Sequence, residues 1–239
     1  MAIAHVQTKG AENTSTTTLA ITYNSAITPG SLLVGCIRCG ADTTISASDT
    51  VNSGWTEVIN QVLAGHGRVA IFYFANTGAG TPTVTYTIGT TSSIRATIHE
   101  YSGAATSSVT DGTPAAETGS DLSSTGTDGP DITTTVGGDL VLAALGTNNS
   151  ASVTEGTGWT RREDVPDDPS LRLFVQDRIE AGTGTFSADC SSLDTSSYIW
   201  VIAAFKQAAA GGGGRIFKLA GYGGGLVGPA RGLAGAAVY

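Results

Sequence analysis

The chain reads as an all-β protein: a β-sandwich or jelly roll of two pseudo-repeats sharing one core, with an extended glycine-rich C-terminal arm. Three observations predict this. The first is internal repetition, because residues 30–103 and 138–206 carry the same order of apolar strands and glycine turns. Ser31-Leu-Leu-Val-Gly-Cys aligns with Asp139-Leu-Val-Leu-Ala-Ala, Gly54-Trp55-Thr56 with Gly158-Trp159-Thr160, Val69-Ala-Ile-Phe-Tyr with Leu171-Arg-Leu-Phe-Val, and Ile94-Arg-Ala-Thr with Tyr198-Ile-Trp-Val, at offsets of 102 to 108 positions. The second is composition: of 239 residues 40% are hydrophobic and only 13% charged, and the chain is rich in Thr, Gly, Ser and Val as well as Ala. Threonine and valine lose little in a pleated strand, whereas leucine, lysine, glutamate and methionine, which helices favour, are scarce. The third is a run of short apolar or alternating segments with turn residues at intervals of about ten, the rhythm of a sandwich or jelly roll.

In chain order the first half predicts strands at 17–23, 32–38, 56–63, 68–75, 83–88 and 94–101, each bounded by Gly, Pro, Asn or Asp. The second half predicts them at 132–136, 140–146, 160–163, 171–179, 184–188 and 198–205. Residues 102–130, rich in Gly, Ser, Thr and Ala, read as a long connection. Either half alone would expose a sheet face. The expectation is therefore one domain over 1–207, with pseudo-repeats at about 12–103 and 119–206 on a common core, and an arm at 208–239. The polar residues do not repeat, so what is duplicated is a scaffold and not a pair of matching active sites.

A net charge of −8 and a pI near 4.7 argue against a nucleic-acid partner, since phosphate binding needs clustered Lys and Arg. No apolar run approaches the 18 or more residues of a membrane span, and the segment after Met1 lacks the basic start and apolar run of a secretory signal, which predicts an unprocessed N-terminus and no membrane partner. Three cysteines do not make a disulfide framework. Cys36 and Cys39 have C-x-x-C spacing, but in a strand positions three apart face opposite ways, so with Cys190 they read as inert buried thiols. His5, His66 and His99 have no metal-ligand spacing, and His99 and Glu100 would point to opposite faces of one strand. A lyase-like site using His99 and Tyr101 is the one enzymatic alternative, and the expectation is no enzyme, no cofactor and no metal. Gly221, Gly223, Gly224 and Gly225 lack the strand and helix that a phosphate loop requires.

Trp55 and Trp159 occupy equivalent turns. Tryptophan there reads first as a core plug, and second as an aromatic platform for a sugar ring, which would make a host-surface glycan a partner. Asp164, Asp167 and Asp168 offer oxygens to a hard cation but have no recognised spacing, and Asp42 and Asp49 in the corresponding first-half loop are too dispersed to reinforce them.

Pro29-Gly-Ser-Leu-Leu-Val, Gly54-Trp55-Thr56, the run Ile71-Phe-Tyr-Phe-Ala-Asn-Thr-Gly-Ala-Gly-Thr, His99-Glu100-Tyr101-Ser102-Gly103 and the closing Trp200-Val-Ile-Ala-Ala-Phe-Lys together resemble a widespread β-sandwich domain of bacterial surface proteins and tailed-phage structural proteins. The resemblance covers about residues 5–207 and has no catalytic signature. It implies adhesion, display or virion structure. The arm adds a leucine every seventh residue, Leu219, Leu226 and Leu233, each followed two positions later by glycine, and Pro229 intervenes, so a coiled coil is excluded. Its Ile216, Phe217, Leu219, Tyr222, Leu226, Val227, Leu233, Val238 and Tyr239, with Arg215 and Arg231, are too apolar for a solvated linker. At about 3.3 Å per residue such an arm could reach about 90 Å across neighbouring subunits. The expectation is a tailed-phage virion protein, a capsid decoration or a tail- or fibre-associated subunit, partnered by other virion subunits and by copies of itself. A surface adhesin or carbohydrate-binding module at the bacterial cell surface is the alternative.

Overall fold

The computed structural model describes residues 1–122, 129–148, 152–167, 171–192 and 196–209. Their strands are β1 (Ala4–Thr22), β2 (Leu32–Cys39), β3 (Ile45–Asp49), β4 (Thr56–Leu63), β5 (Gly67–Phe74), β6 (Thr83–Ser102), β7 (Thr110–Gly119), β8 (Asp131–Thr133), β9 (Asp139–Thr147), β10 (Val153–Glu155), β11 (Thr160–Asp167), β12 (Leu171–Glu180), β13 (Thr185–Ser187), β14 (Cys190–Ser192) and β15 (Tyr198–Phe205). The protein is an all-β sandwich of antiparallel sheets. Of the expected arm, 208–239, residues 210–239 lie outside the described residues, as does Asp168.

The first inner sheet runs β1-β6-β2-β5-β4, with β3 also pairing β6, and the second runs β7-β15-β9-β12-β11. Placed side by side, the two orders are the same. Register agrees as well: Leu32 faces Tyr101 and Leu33 faces Phe74 in the first sheet, while Leu140 faces Phe205 and Val141 faces Arg178 in the second. Left-handed glycines fall at matching turns, Gly30 (φ 87°) with Gly138 (φ 88°) and Gly54 (φ 83°) with Gly158 (φ 81°). These backbone angles admit glycine with little strain, so each half needs it at the same two places. The ladders set β5 on β12 at the 104-position offset that also relates Tyr101 to Phe205, which corrects the 102-position alignment of Val69 with Leu171. Two apolar runs can be slid by one pleat repeat without breaking their alternation, and only the pairing decides between them.

The sheets stack with their orders opposed, β1 against β11, β6 against β12, β5 against β15 and β4 against β7. Each such contact has its counterpart across the molecule, the pattern of a twofold-related pair. Alternation explains the layers. In β2, Leu32, Val34 and Cys36 turn toward the second sheet and meet Leu140, Leu142 and Ala144 in a central core, while Leu33, Ile37 and Cys39 turn outward. The outward side chains are covered by Leu19, Ile21, Ile45, Val84, Tyr86 and Ile88, brought over them by β3 and the far halves of β1 and β6. In the second half, β8 with β13 and β10 with β14 carry Ile132, Val153 and Cys190 over Trp159 and Trp200 in the same way. The apolar side chains thus form three clusters, and residues of both halves meet in the middle one.

Strands β3, β10 and β14 were not anticipated, and three other departures have local causes. β1 begins at Ala4 instead of Thr17, because its first half lacks alternating apolar residues and is held by its ladder to β6. β6 continues through Gly89-Thr-Thr-Ser-Ser, so 83–88 and 94–101 are one strand that bends between layers. The expected long connection contains β7, an edge strand whose Pro114 lies in a register shift between the pairs Ala115–Ile202 and Asp111–Ala204, where no ladder amide is required.

Candidate functional site

The residues with chemical capacity gather mainly between the sheets and at their ends. His99 and Tyr101 of β6 turn inward, and Glu100 turns outward, as alternation requires. At the seam of β1 and β11, Tyr101 Oη donates to Asp177 Oδ2 at 2.6 Å and Arg162 Nε donates to the same oxygen at 2.8 Å. Asp177 comes from β12, and Arg162 sits at the register shift of β11, which aims it inward. His5 packs edge-on to Tyr101 with ring centroids 5.3 Å apart. His99 lies fully buried between Thr8 Oγ1 (2.9 Å from Nδ1) and Thr97 Oγ1 (2.8 Å from Nε2). Burial, then the neighbouring His5 and Arg162, pushes its pKa down to about 3, so it is a neutral hydrogen-bonding group at physiological pH. The seam therefore brings together the two residues of the lyase-like alternative, but closes them into contacts with protein groups.

The opposite seam is apolar. By the shared register, Tyr101, Asp177 and Arg162 correspond to Phe205, Tyr73 and Val58, and Tyr73 meets Phe205 edge to face with centroids 5.7 Å apart. Arg162, Asp177 and His5 were missed in the sequence. An alignment at the 104-position offset carries the signal, a polar pair set against an aromatic and a valine.

Each half also buries a carboxylate beneath the turn that enters its central strand. In the first half Glu100 accepts from the Thr28 amide (2.8 Å), Ser31 Oγ (2.9 Å) and Gln7 Nε2 (2.7 Å). In the second half Asp111 of β7 accepts from the Thr135 and Val136 amides, the latter at 3.1 Å, and Asp139 stands where Ser31 stood. Burial, and then the hydrogen bond and charge of Asp111, raise the Asp139 pKa to about 7. Burial also lifts Asp111, but the Thr135 hydroxyl and amide, Asp139 and the Val136 amide outweigh it and hold that carboxyl well below the usual range. The Gln207 amide and the Lys206 charge favour the ionised form of Asp139 but do not outweigh burial and Asp111, so the acid form, with its proton toward Asp111, is the one the site favours.

The sign of the pH dependence follows. Asp139, ordinarily near 3.8, contributes stability that is complete below that value and lost as pH rises through about 7. His99 acts oppositely, because its depressed pKa makes stability rise between about 3 and its ordinary 6.5. Asp139→Asn should remove the loss and leave stability rising with pH over this window. Urea unfolding at pH 4, 5.5 and 7 reads this, and parallel pH profiles for the two proteins would refute the shared proton.

At one end of the sandwich the buried Arg38 donates to Asn148 Oδ1 and to the carbonyls of His66 and Cys39. Burial lowers its pKa to about 10, which still leaves it charged. His66 and Asn148 line an adjoining cavity of about 360 Å³ with Gly40, Gly65, Ser92, Ser93 and Leu171.

The tryptophan platform is corrected by burial. Trp55 is 9% exposed and donates to Asp49 Oδ2 at 2.7 Å, and Trp159 is 6% exposed beneath the Arg178 guanidinium, 5.5 Å from its centroid. Both rings belong to the outer cores and offer no stacking face to a sugar. Cys36 faces the central core and Cys39 the outer one, and Cys190 lies in the second outer core, all three as free thiols. Asp164, within β11 and not in a loop, pairs with Arg172, and Asp42 accepts from the Gly65 and Gly67 amides at 3.0 Å, so these carboxylates hold structure. Among the described residues no three His, Cys, Asp or Glu gather as a metal-ligand set. Comparison with protein-family models, curated proteins and solved structures gives no match to this chain.

Proposed function

We propose that this chain is a non-enzymatic structural subunit of a tailed-phage virion, a capsid decoration or a tail- or fibre-associated protein, held in its assembly by residues 208–239. One observation carries the reading: an apolar, basic arm follows an acidic body. The chain has 12 Lys and Arg against 20 Asp and Glu. Three of the basic residues, Arg215, Lys218 and Arg231, and none of the acidic ones lie in 208–239, so nine basic residues face 20 acidic ones in 1–207, a net of −11. Opposite charge on arm and body favours docking between copies, and the arm's leucines supply apolar anchors. The polar residues described above are engaged with one another or with the backbone, which suits a scaffold. The burial of Trp55 and Trp159 removes the observation that favoured sugar binding.

The test is a chain ending at residue 209, compared with the full chain by analytical ultracentrifugation and by incorporation into particles. The truncated protein should keep the unfolding transition of the sandwich and stay monomeric. A truncated protein that assembles normally would overturn the proposal.

A further inference from the structure

Three of the four edges of the inner sheets carry devices against pairing with a further strand. β1 has three register shifts together with Lys9 and Glu12, β7 has a shift spanning Pro114, and β11 carries Arg161, Arg162, Glu163, Asp164 and Pro166. β4 differs. Its charge is confined to Glu57, beside its register shift, and from Ile59 to Leu63 it runs regularly with neither charge nor proline. The Leu63 carbonyl accepts from the His66 amide and closes the turn to β5, and antiparallel alternation then puts the outward-pointing backbone groups at Asn60 and Val62. Gln61 Nε2 donates to the Val62 carbonyl at 2.9 Å, a side chain standing where the amide of a neighbouring strand would stand. Val58, Ile59 and Leu63 are only partly buried at the margin of the central core.

We propose that the β4 edge of one copy accepts residues 215–219 of a second copy, Arg-Ile-Phe-Lys-Leu, as an added antiparallel strand. This rests on the arm reading above and names its docking surface. The five residues match the five unguarded positions of β4 in length. Ile216, Phe217 and Leu219 can cover the half-exposed apolar margin, and the strand brings two cations to a body of net −11, drawn from the chain totals of 12 basic and 20 acidic residues. Backbone pairing supplies affinity, and the margin supplies selectivity.

The test uses the full chain. Val62→Pro removes an outward amide and leaves the β5 ladder in place, and Gln61→Lys sets a like charge against Arg215 and Lys218. Each should weaken self-association by about tenfold or more with the unfolding midpoint of the monomer retained, and hydrogen exchange at Asn60 and Val62 should slow as concentration rises. If Val62→Pro does not fold, Gln61→Lys decides alone. Self-association unchanged by these variants, but abolished by ending the chain at 209, would overturn the β4 site and leave the arm reading standing. If ending the chain at 209 does not abolish assembly, the arm reading falls with it. Protection at Asn60 and Val62 that is independent of concentration would overturn the second copy as the occupant in favour of the chain's own arm.

Discussion

Gly146→Leu is expected to lower stability by about 3 kcal/mol, the upper part of the usual range for overpacking, which for a domain of this size is a fall in Tm of about 6–12 °C. The reason lies at the end of the sandwich where Arg38 is held. Register makes Gly146 of β9 the counterpart of Arg38 of β2, since Gly146 faces Ile199 and Leu173 where Arg38 faces Arg95 and Val69. The two counterparts pack on each other: a Cβ on Gly146 would lie 2.4 Å from Arg38 Cδ and 2.5 Å from Val69 Cγ2. Neither neighbour can yield, because both are buried and the Arg38 guanidinium is fixed by His66 and Asn148. Identical halves would set two arginines against each other here. The glycine is the hole into which the one arginine fits. Shrinking Val69 to alanine together with Gly146→Leu should cost less than the two changes summed, since the second side chain occupies space the first gives up. A Gly146→Leu protein melting within about 2 °C of the parent would refute this packing.

The repetition of strands, the glycine turns and the burial of Trp55 and Trp159 were legible in the sequence because each rests on local chemistry: an apolar run, a left-handed backbone position, a large ring beside a turn. The opposite facing of Cys36 and Cys39, and of His99 and Glu100, followed from the two-residue period alone. The first half of β1 was not legible, since Thr8, Lys9 and Glu12 have no strand pattern of their own and acquire one only from their partners in β6. The same holds for β7, whose Gly112 and Pro114 sit in a bulge that only the ladder to β15 reveals. The polar seam was hidden because His5, Tyr101, Arg162 and Asp177 are scattered over 173 positions and come together only when the two sheets stack in opposed order.

That seam supports the second large effect, which depends on whether one residue is changed or three. Asp177→Ala should cost about 3–5 kcal/mol, because it leaves the Tyr101 hydroxyl and the Arg162 guanidinium without their shared acceptor. Asp177 is 1% exposed at its side chain and Arg162 21%, so water can compensate only in part. Replacing all three to copy the other seam, Tyr101→Phe with Asp177→Tyr and Arg162→Val, should instead leave stability within about 1 kcal/mol of the parent or raise it, because an apolar set of matching shape requires no desolvation of charge. The template for that set is already in the molecule, in Phe205, Tyr73 and Val58. Urea unfolding of the single and triple variants separates the readings. A triple variant as unstable as Asp177→Ala would mean that the two seams are not equivalent. If the triple variant is stable, what the polar seam supplies is specificity: with both seams apolar, two first halves from different chains could stack as well as the two halves of one. The Tyr101–Asp177–Arg162 contact draws on both halves, so it favours the pairing in which a first half meets a second. Size-exclusion chromatography of the triple variant in a chain ending at residue 209, refolded at high concentration, should therefore reveal exchanged dimers that the unsubstituted chain of the same length does not form.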